Sequence, residues 1–321
     1  MYSFQELSKL FEEKFNVRHF PNEPVSLYDP SQYILSLGGK RIRPVMCLMG
    51  NELVNEINPD TWNVATAIEL FHNFTLIHDD IMDKAPLRRG METVHHKFGE
   101  PTALLAGDVM LVVAYDYVNK INKDHLQKVI KLFNKTAKEV CEGQQLDMDF
   151  EKREKVSFDE YLNMIQLKTS VALAASLQLG AILGGAGEGN QNHLYEFGKN
   201  LGIAFQVQDD YLDAFGDPQK FGKKTGGDII ANKKTFLSIH ALEVATSKQL
   251  KELKKVNKDN DLSKVEKTLQ IYKDTNVDAW ANELKEKYFK QALFHLEELA
   301  VLSARKKPLQ ELAEYLINRE H

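Results

Sequence analysis

The sequence predicts an all-α fold, and three observations carry that prediction. Apolar residues recur at spacings of three and four along almost the whole chain, as in Leu7, Leu10 and Phe11, in Val129, Ile130, Leu132 and Phe133, and in Leu293, Leu296 and Leu299. This is the period of helices that bury one face. No Asn-Gly or Asp-Gly pair sits between two alternating runs, so hairpin signals are missing. The nine prolines fall mostly at plausible helix boundaries.

Taken in order, the opening MYSFQELSKLFEEKF has the spacing of an amphipathic first helix, and its acidic residues separate it from a signal peptide. Breaks are expected at 18 to 31, 83 to 101, 184 to 192, 215 to 228 and 254 to 264, where Gly, Pro and polar residues gather. None has the length of an interdomain linker, so residues 1 to 321 read as one domain. The lysine-rich stretch 248 to 268 reads as solvated helix and loop with no function of its own. The most apolar stretch, Ser170 to Gly187, has 18 uncharged residues but includes Gln178, two serines and four glycines. A span needs about 20 predominantly apolar residues. The stretch therefore reads as a buried core helix, and no stable membrane span is expected.

Composition is that of a globular chain, 43% hydrophobic and 27% charged. A formal charge of -5 gives no support to a nucleic-acid surface, which would show a basic excess. Cys47 and Cys141 lie far apart without metal-ligand spacing around them, which suits a reduced cytoplasm.

Two short clusters carry the chemistry. Asp79, Asp80 and Asp83 are spaced i, i+1, i+4, and so are Asp209, Asp210 and Asp213. At about 100° per residue each trio occupies roughly one quadrant of a helix. Each follows an apolar run and precedes a Gly- or Pro-containing loop, so each is placed at the carboxyl end of a helix, where the macrodipole disfavours negative charge. One such trio would fit a solvated helix end as well as a site. Two with identical spacing point to a compensating cation. Ligands that are all oxygen indicate magnesium or manganese, and magnesium prefers few carboxylates together with substrate phosphates. A phosphorylated ligand between the two clusters is the expected third party. His78 is expected to satisfy a neighbouring group, while His72 lies on the same face as Asp79.

Basic residues gather beside glycine-containing loops: Lys40, Arg41 and Arg43 in GGKRIRP, Arg88 and Arg89 in LRRG, Lys168 beside Thr169, Lys223 and Lys224, and Lys233 and Lys234. Arginine forks match phosphate oxygens bidentately and lysines serve as point charges. Singly each pair fits a solvated surface; together they form a phosphate-binding set.

These segments, with LLAGDVML, GQQLDMD, FQVQDDYLD and GKKTGGD, resemble the trans-isoprenyl diphosphate synthases, the polyprenyl synthetase family, over most of the chain. The resemblance rests on two DDxxD motifs, RRG after the first and GKxxGxD after the second. It implies one polyprenyl synthetase domain of long antiparallel helices around a central cavity, normally homodimeric. The implied reaction joins isopentenyl diphosphate head-to-tail to an allylic diphosphate. It also implies that Asp79, Asp83 and Asp209 ligate three magnesium ions while Asp80, Asp210 and Asp213 support them. Lys40, Arg43, His72 and Arg89 resemble the isopentenyl diphosphate site. Arg88, Lys168, Thr169, Gln206, Lys223 and Lys233 resemble the allylic diphosphate site. Two departures, GMET after Arg89 and Phe236 after KKT, stand where the family tends to have proline, and neither touches an expected ligand.

In this family the residue five before the first aspartate limits the growing tail. Here it is Phe74, followed by Thr75, a pattern that resembles short-chain, archaeal-type geranylgeranyl diphosphate synthases, with farnesyl diphosphate as the other product. On an ideal helical wheel Phe74 lies far from the carboxylate face, and an ordinary core phenylalanine fits it too. A class I terpene cyclase would need only one substrate site, against GGKRIRP and the second arginine of LRRG. A noncatalytic partner subunit could lose an aspartate cluster, and both are intact.

Overall fold

Hydrogen-bonding side chains placed where helices begin set much of the architecture. The computed structural model describes residues 1–216, 226–256 and 262–318. Ser3 and Glu6 form a capping box for α1 (Phe4–Phe15), and Asn58 caps α4 (Pro59–Met82) with proline in its first turn. Between them run α2 (Val25–Ser36) and α3 (Ile42–Glu52). After α4 come β1 (Leu87–Arg88), β2 (Met91–Glu92), α5 (Val94–Phe98), α6 (Glu100–Val118) and α7 (Lys123–Glu151). A second capping box, Ser157 with Glu160, starts α8 (Phe158–Ile165). A π-helical turn (Gln166–Ser170), α9 (Val171–Leu183) and α10 (Glu188–Phe215) follow. The remaining helices among the described residues are α11 (Gly227–Ile230), α12 (Phe236–Val244), α13 (Ser247–Val256), α14 (Leu262–Asp274), α15 (Val277–Glu297) and α16 (Ser303–Asn318).

The chain forms two compact units. The first comprises 1–133, 176–192 and 301–308. In it α4 packs along α6 and α3, and Val64, Leu70, Met46 and Met110 are fully buried. Close approach of α3 to α9 depends on glycine. A Cβ on Gly50 would stand 2.3 Å from the Leu177 carbonyl oxygen, and one on Gly180 1.9 Å from that of Cys47. The second comprises 134–175, 193–300 and 309–321. In it Phe158 lies edge-on to Trp280 and Tyr161 edge-on to Phe236, tying α8 to α15 and α12.

The helix periods and the trios at helix ends are as the sequence predicts, with two differences. A short hairpin is present after all: β1 and β2 pair antiparallel across Arg89 and Gly90, whose φ angles are 54° and 78°. Positive φ at both central residues is the signature of a type I′ turn. Arginine takes the position usually held by Asn or Asp. Second, apolar helices do not all face inward. The Ser170–Gly187 stretch is helical over α9 and mostly buried, but α6 also has the length and composition to cross a membrane, and only 33% of its most apolar window is buried. Leu104, Leu105 and Val112 lie exposed on it.

Gly180→Ala is expected to overpack α3 against α9 and cost about 1–3 kcal/mol, read as a lower urea midpoint; an unchanged midpoint would contradict the contact.

Candidate active site

Helix α4 delivers the first trio at its carboxyl end. Asp79 and Asp80 lie in its last turn and Asp83 is the C-cap, its amide donating to the Asp79 carbonyl at 2.8 Å. The three carboxylates are not equivalent. Asp80 is buried and receives a two-pronged contact from Arg88, Nε to Oδ2 at 2.8 Å and Nη2 to Oδ1 at 2.7 Å. Asp79 is half-buried and Asp83 exposed. One arginine of LRRG is thereby engaged within the protein, and the I′ turn sends the next one elsewhere.

That next one, Arg89, lies over the glycines of GGKRIRP. Its Nη1 donates to the Gly38 carbonyl, and a Cβ on Gly39 would come within 2.9 Å of the guanidinium. Gly39, at φ 148°, is thus required both by backbone and by the side chain resting on it. Arg43 Nη1 donates to His72 Nε2 at 3.1 Å, which assigns the ring proton to Nδ1. Burial, then the charges of Arg43, Arg89, Arg88 and Arg41, hold His72 well below the ordinary histidine range. The imidazole stays neutral within reach of those charges. Arg43 and Arg89 are themselves pulled below the usual arginine value by burial, yet an arginine does not deprotonate in a protein. Concentrated positive charge around a neutral acceptor is an anion-binding field.

One expectation for this segment needs revision. Arg41, grouped in sequence with the phosphate-binding cations, is buried at φ 49° and pairs with Glu69 while donating to the Leu35 carbonyl. A carboxylate beneath it neutralises the charge, so it anchors the loop. Lys40 is exposed. His78 Nε2 lies 3.2 Å from the Leu104 carbonyl, the satisfied neighbour expected of it. Phe74 is half-buried, edge-on to His78 at 4.8 Å and tilted on Phe71 at 5.8 Å, and Phe71 meets Phe133 at 5.4 Å. The Thr75 hydroxyl donates to the His72 carbonyl at 2.8 Å.

The second trio, in the other unit, lies in the last turns of α10. Asp210 is buried and accepts from Gln206 Nε2 at 2.9 Å, the Tyr161 hydroxyl at 3.1 Å and the Phe236 amide at 3.2 Å. Burial, helped by the nearby charge of Asp228, raises its carboxyl to about 7, against the pull of those three donors. Tyr161 is held well above the ordinary phenol value by burial and by Asp210. Asp213 Oδ2 accepts the Asp228 amide at 2.9 Å, and the Asp213 carbonyl accepts the Gly226 amide at 2.6 Å. Asp209 is half-buried. Gln206, expected at the allylic diphosphate, spends its amide on Asp210.

Lys168 sits in the π-helical turn, a distortion common at functional sites, and donates to Asp147 at 2.5 Å. Asp147 is the residue the sequence alone did not single out, although GQQLDMD contains it; aspartate on an amphipathic helix carries no local signal of its partner. A Cβ on Gly143 would stand 2.3 Å from the Lys168 amide nitrogen, so α7 can run against the turn. Thr169 is half-buried and Lys233 exposed, beyond α11. Lys223 and Lys224 lie outside the described residues.

Among the described residues no three His, Cys, Asp or Glu side chains converge on one point. The inner aspartates Asp80 and Asp210 are turned to protein donors, which leaves few carboxylates per trio. The remaining donors are all oxygen and fit a hard divalent ion that completes its shell with water and phosphate, as magnesium does.

Comparison with known proteins identifies the family. The polyprenyl synthetase family model matches residues 24–275. A geranylgeranyl diphosphate synthase of Methanosarcina mazei is 44% identical over 222 residues, 68% of each chain. A short chain isoprenyl diphosphate synthase of Methanothermobacter thermautotrophicus is 35% identical over 99% of this chain and 98% of its own. A crystal structure of a geranylgeranyl pyrophosphate synthase superposes with a TM-score of 0.94 at 44% identity, covering 100% of both chains. The all-α fold is that of isoprenoid synthases, and the chain belongs to the polyprenyl synthetase family. Its activity is that of a short-chain trans-prenyltransferase, similar to geranylgeranyl diphosphate synthases, in a family that uses divalent metal ions.

The raised Asp210 carboxyl makes a pH prediction for the metal-free protein. Its contribution to stability is fully present below the ordinary aspartate value of 3.8 and is lost as pH rises through about 7. Asp210→Asn should therefore flatten the fall in melting temperature between those limits; a parallel pH profile in the two proteins would refute the assignment.

Proposed function

We propose that the chain condenses isopentenyl diphosphate with an allylic diphosphate to give geranylgeranyl diphosphate, with farnesyl diphosphate as the second candidate product. The observation that carries the proposal is the neutral His72, accepting from Arg43 and lying within electrostatic reach of Arg88 and Arg89. Such a field suits a diphosphate that must bind intact, separately from the diphosphate that leaves, and a terpene cyclase has no need of it. Lys40, Arg43, His72 and Arg89 are assigned to isopentenyl diphosphate. Arg88, Lys168, Thr169, Gln206, Lys223 and Lys233 are assigned to the allylic diphosphate, Gln206 through its hold on Asp210.

Asp79, Asp83 and Asp209 are proposed as direct ligands of magnesium, three ions when substrate is bound, with Asp80, Asp210 and Asp213 as their supports. When bound, these ions supply charge neutralisation to the leaving diphosphate. The cationic side chains aim the same kind of stabilisation at charge that develops on ionisation. Arg88 does so while fixed by Asp80, so it needs little reorganisation at the moment of bond breaking. The double bond of isopentenyl diphosphate then attacks the allylic cation. We name no side-chain base; the departed diphosphate accepts the proton. Packed aromatic groups at Phe71, Phe74 and Phe133 keep water from the cation and form the floor that stops the tail, with Thr75 beside it.

The family match runs through both compact units, which supports a single polyprenyl synthetase domain. A homodimer is the proposed assembly, and the exposed Leu104, Leu105 and Val112 on α6 are the face that a second copy would cover. Neither Cys47 nor Cys141 is in a disulfide, which suits a reducing, cytoplasmic setting.

Incubation with labelled isopentenyl diphosphate, magnesium and primers of increasing length, followed by chromatography of the dephosphorylated products, is expected to end at geranylgeraniol. Cyclic hydrocarbon would indicate a cyclase, and no product a noncatalytic subunit. Phe74→Ala should shift the same distribution to longer chains, and an unchanged distribution would reject the floor. Asp79→Asn should lower kcat by roughly 10²-fold or more, measured at saturating magnesium; wild-type turnover would sink the ligand assignment.

A further inference from the structure

The lysine-rich stretch 248 to 268 reads in sequence as solvated, yet Lys264 within it is fully buried, at 0% exposure. Burying an ammonium is costly unless its protons find acceptors. Near the start of α14, Lys264 Nζ donates to the Ile230 carbonyl at 3.1 Å and to Asn232 Oδ1 at 2.8 Å. Ile230 ends α11, where a carbonyl lacks an intrahelical partner and a cation is favoured. Asn232 holds a left-handed φ of 54°, a conformation asparagine adopts more readily than other side-chain-bearing residues. Both acceptors therefore belong to the turn from which Lys233 departs.

Further contacts hold the same segment. The Lys233 amide donates to the Asp228 carbonyl at 2.9 Å, which sets the direction in which the chain leaves α11. Val265, next to Lys264, packs so closely on Gly226 that a Cβ there would come within 2.6 Å of Val265 Cγ1. At its start the segment is tied to the second acidic trio, through the Asp228 amide and Asp213 Oδ2. Residues 226–233 are thus gripped at one end by Asp213 and at the other by Lys264.

We propose that Lys264 is a positioning residue, a buried clamp on the α11 turn that presents Lys233 to the diphosphate of the allylic substrate. The inference rests on the assignment of Lys233 made above. Lys264 itself touches no substrate. Its ammonium donates to a backbone carbonyl and a side-chain amide oxygen of the turn, and its influence passes through the conformation of Asn232 to the next residue. The clamp also gives a reason for a lysine where a leucine or methionine would be the ordinary occupant: an apolar side chain would leave the Ile230 carbonyl and the Asn232 amide oxygen without this donor.

The test is steady-state kinetics with both substrates varied in turn. Lys264→Met keeps the apolar stem and removes both hydrogen bonds. It is expected to raise KM for the allylic diphosphate about five- to tenfold, with KM for isopentenyl diphosphate unchanged. Lys233→Ala should give at least as large a rise, and the double variant should be no worse than Lys233→Ala, because the two residues act in series. Asn232→Gly keeps the left-handed turn while deleting the acceptor, and it should reproduce the allylic effect even where Lys264→Met folds poorly. Additive effects of the two lysine variants, an equal rise in both KM values, or an unchanged allylic KM in Lys264→Met or Asn232→Gly would overturn the clamp. If Lys233→Ala itself leaves the allylic KM unchanged, the assignment of Lys233 fails and the clamp with it.

Discussion

Carboxylates crowded at the end of a helix repel one another and the helix dipole, and this electrostatic cost shapes both acidic clusters. Each cluster meets it by drawing the middle carboxylate inward, though by different means. Asp80 is met by a guanidinium, in a charge-assisted and bidentate contact. Asp210 is met by a phenol, a side-chain amide and a backbone amide, all neutral. Neutral donors do not repay full burial of a charge, so Asp210 is raised to about 7 while still accepting three hydrogen bonds. One motif therefore has two local solutions, and the second leaves a deficit that an added cation would relieve.

The cationic loops around the first cluster obey a related rule. Each of their arginines is directed by a fixed partner: Arg41 by Glu69, Arg43 by His72, Arg88 by Asp80 and Arg89 by the Gly38 carbonyl. Long flexible side chains lose much entropy when they are ordered. Here most of that loss is taken in folding, before any ligand arrives. Left-handed backbone at Arg41, Lys84 and Arg89 gathers in the same region, which is where strain tends to accumulate when geometry is dictated by function.

Much of this was legible in the sequence. Helix period, the two DDxxD spacings and the glycine-flanked cations are local patterns, and local patterns survive without a structure. What was illegible depended on partners distant in sequence. Arg41 looks like its neighbour Arg43 until Glu69, on another helix, is seen beneath it. Asp147 looks like any surface aspartate until Lys168 reaches it. Lys264 lies among solvated lysines and differs only in what surrounds it. The hairpin was missed because Arg-Gly is an unusual pair for a I′ turn, and its left-handed arginine is accounted for by the loop that receives the side chain. The exposed flank of α6 is not legible in sequence because apolar composition alone does not say whether a helix face is covered.

Gly39 has one further implication. With the Arg89 guanidinium lying against its bare α-carbon, two loops about fifty residues apart in sequence are machined to a common fit. A chimaera that imported either loop from a relative, without its counterpart, would inherit a mismatched joint. Natural variation at these positions should accordingly travel as a pair.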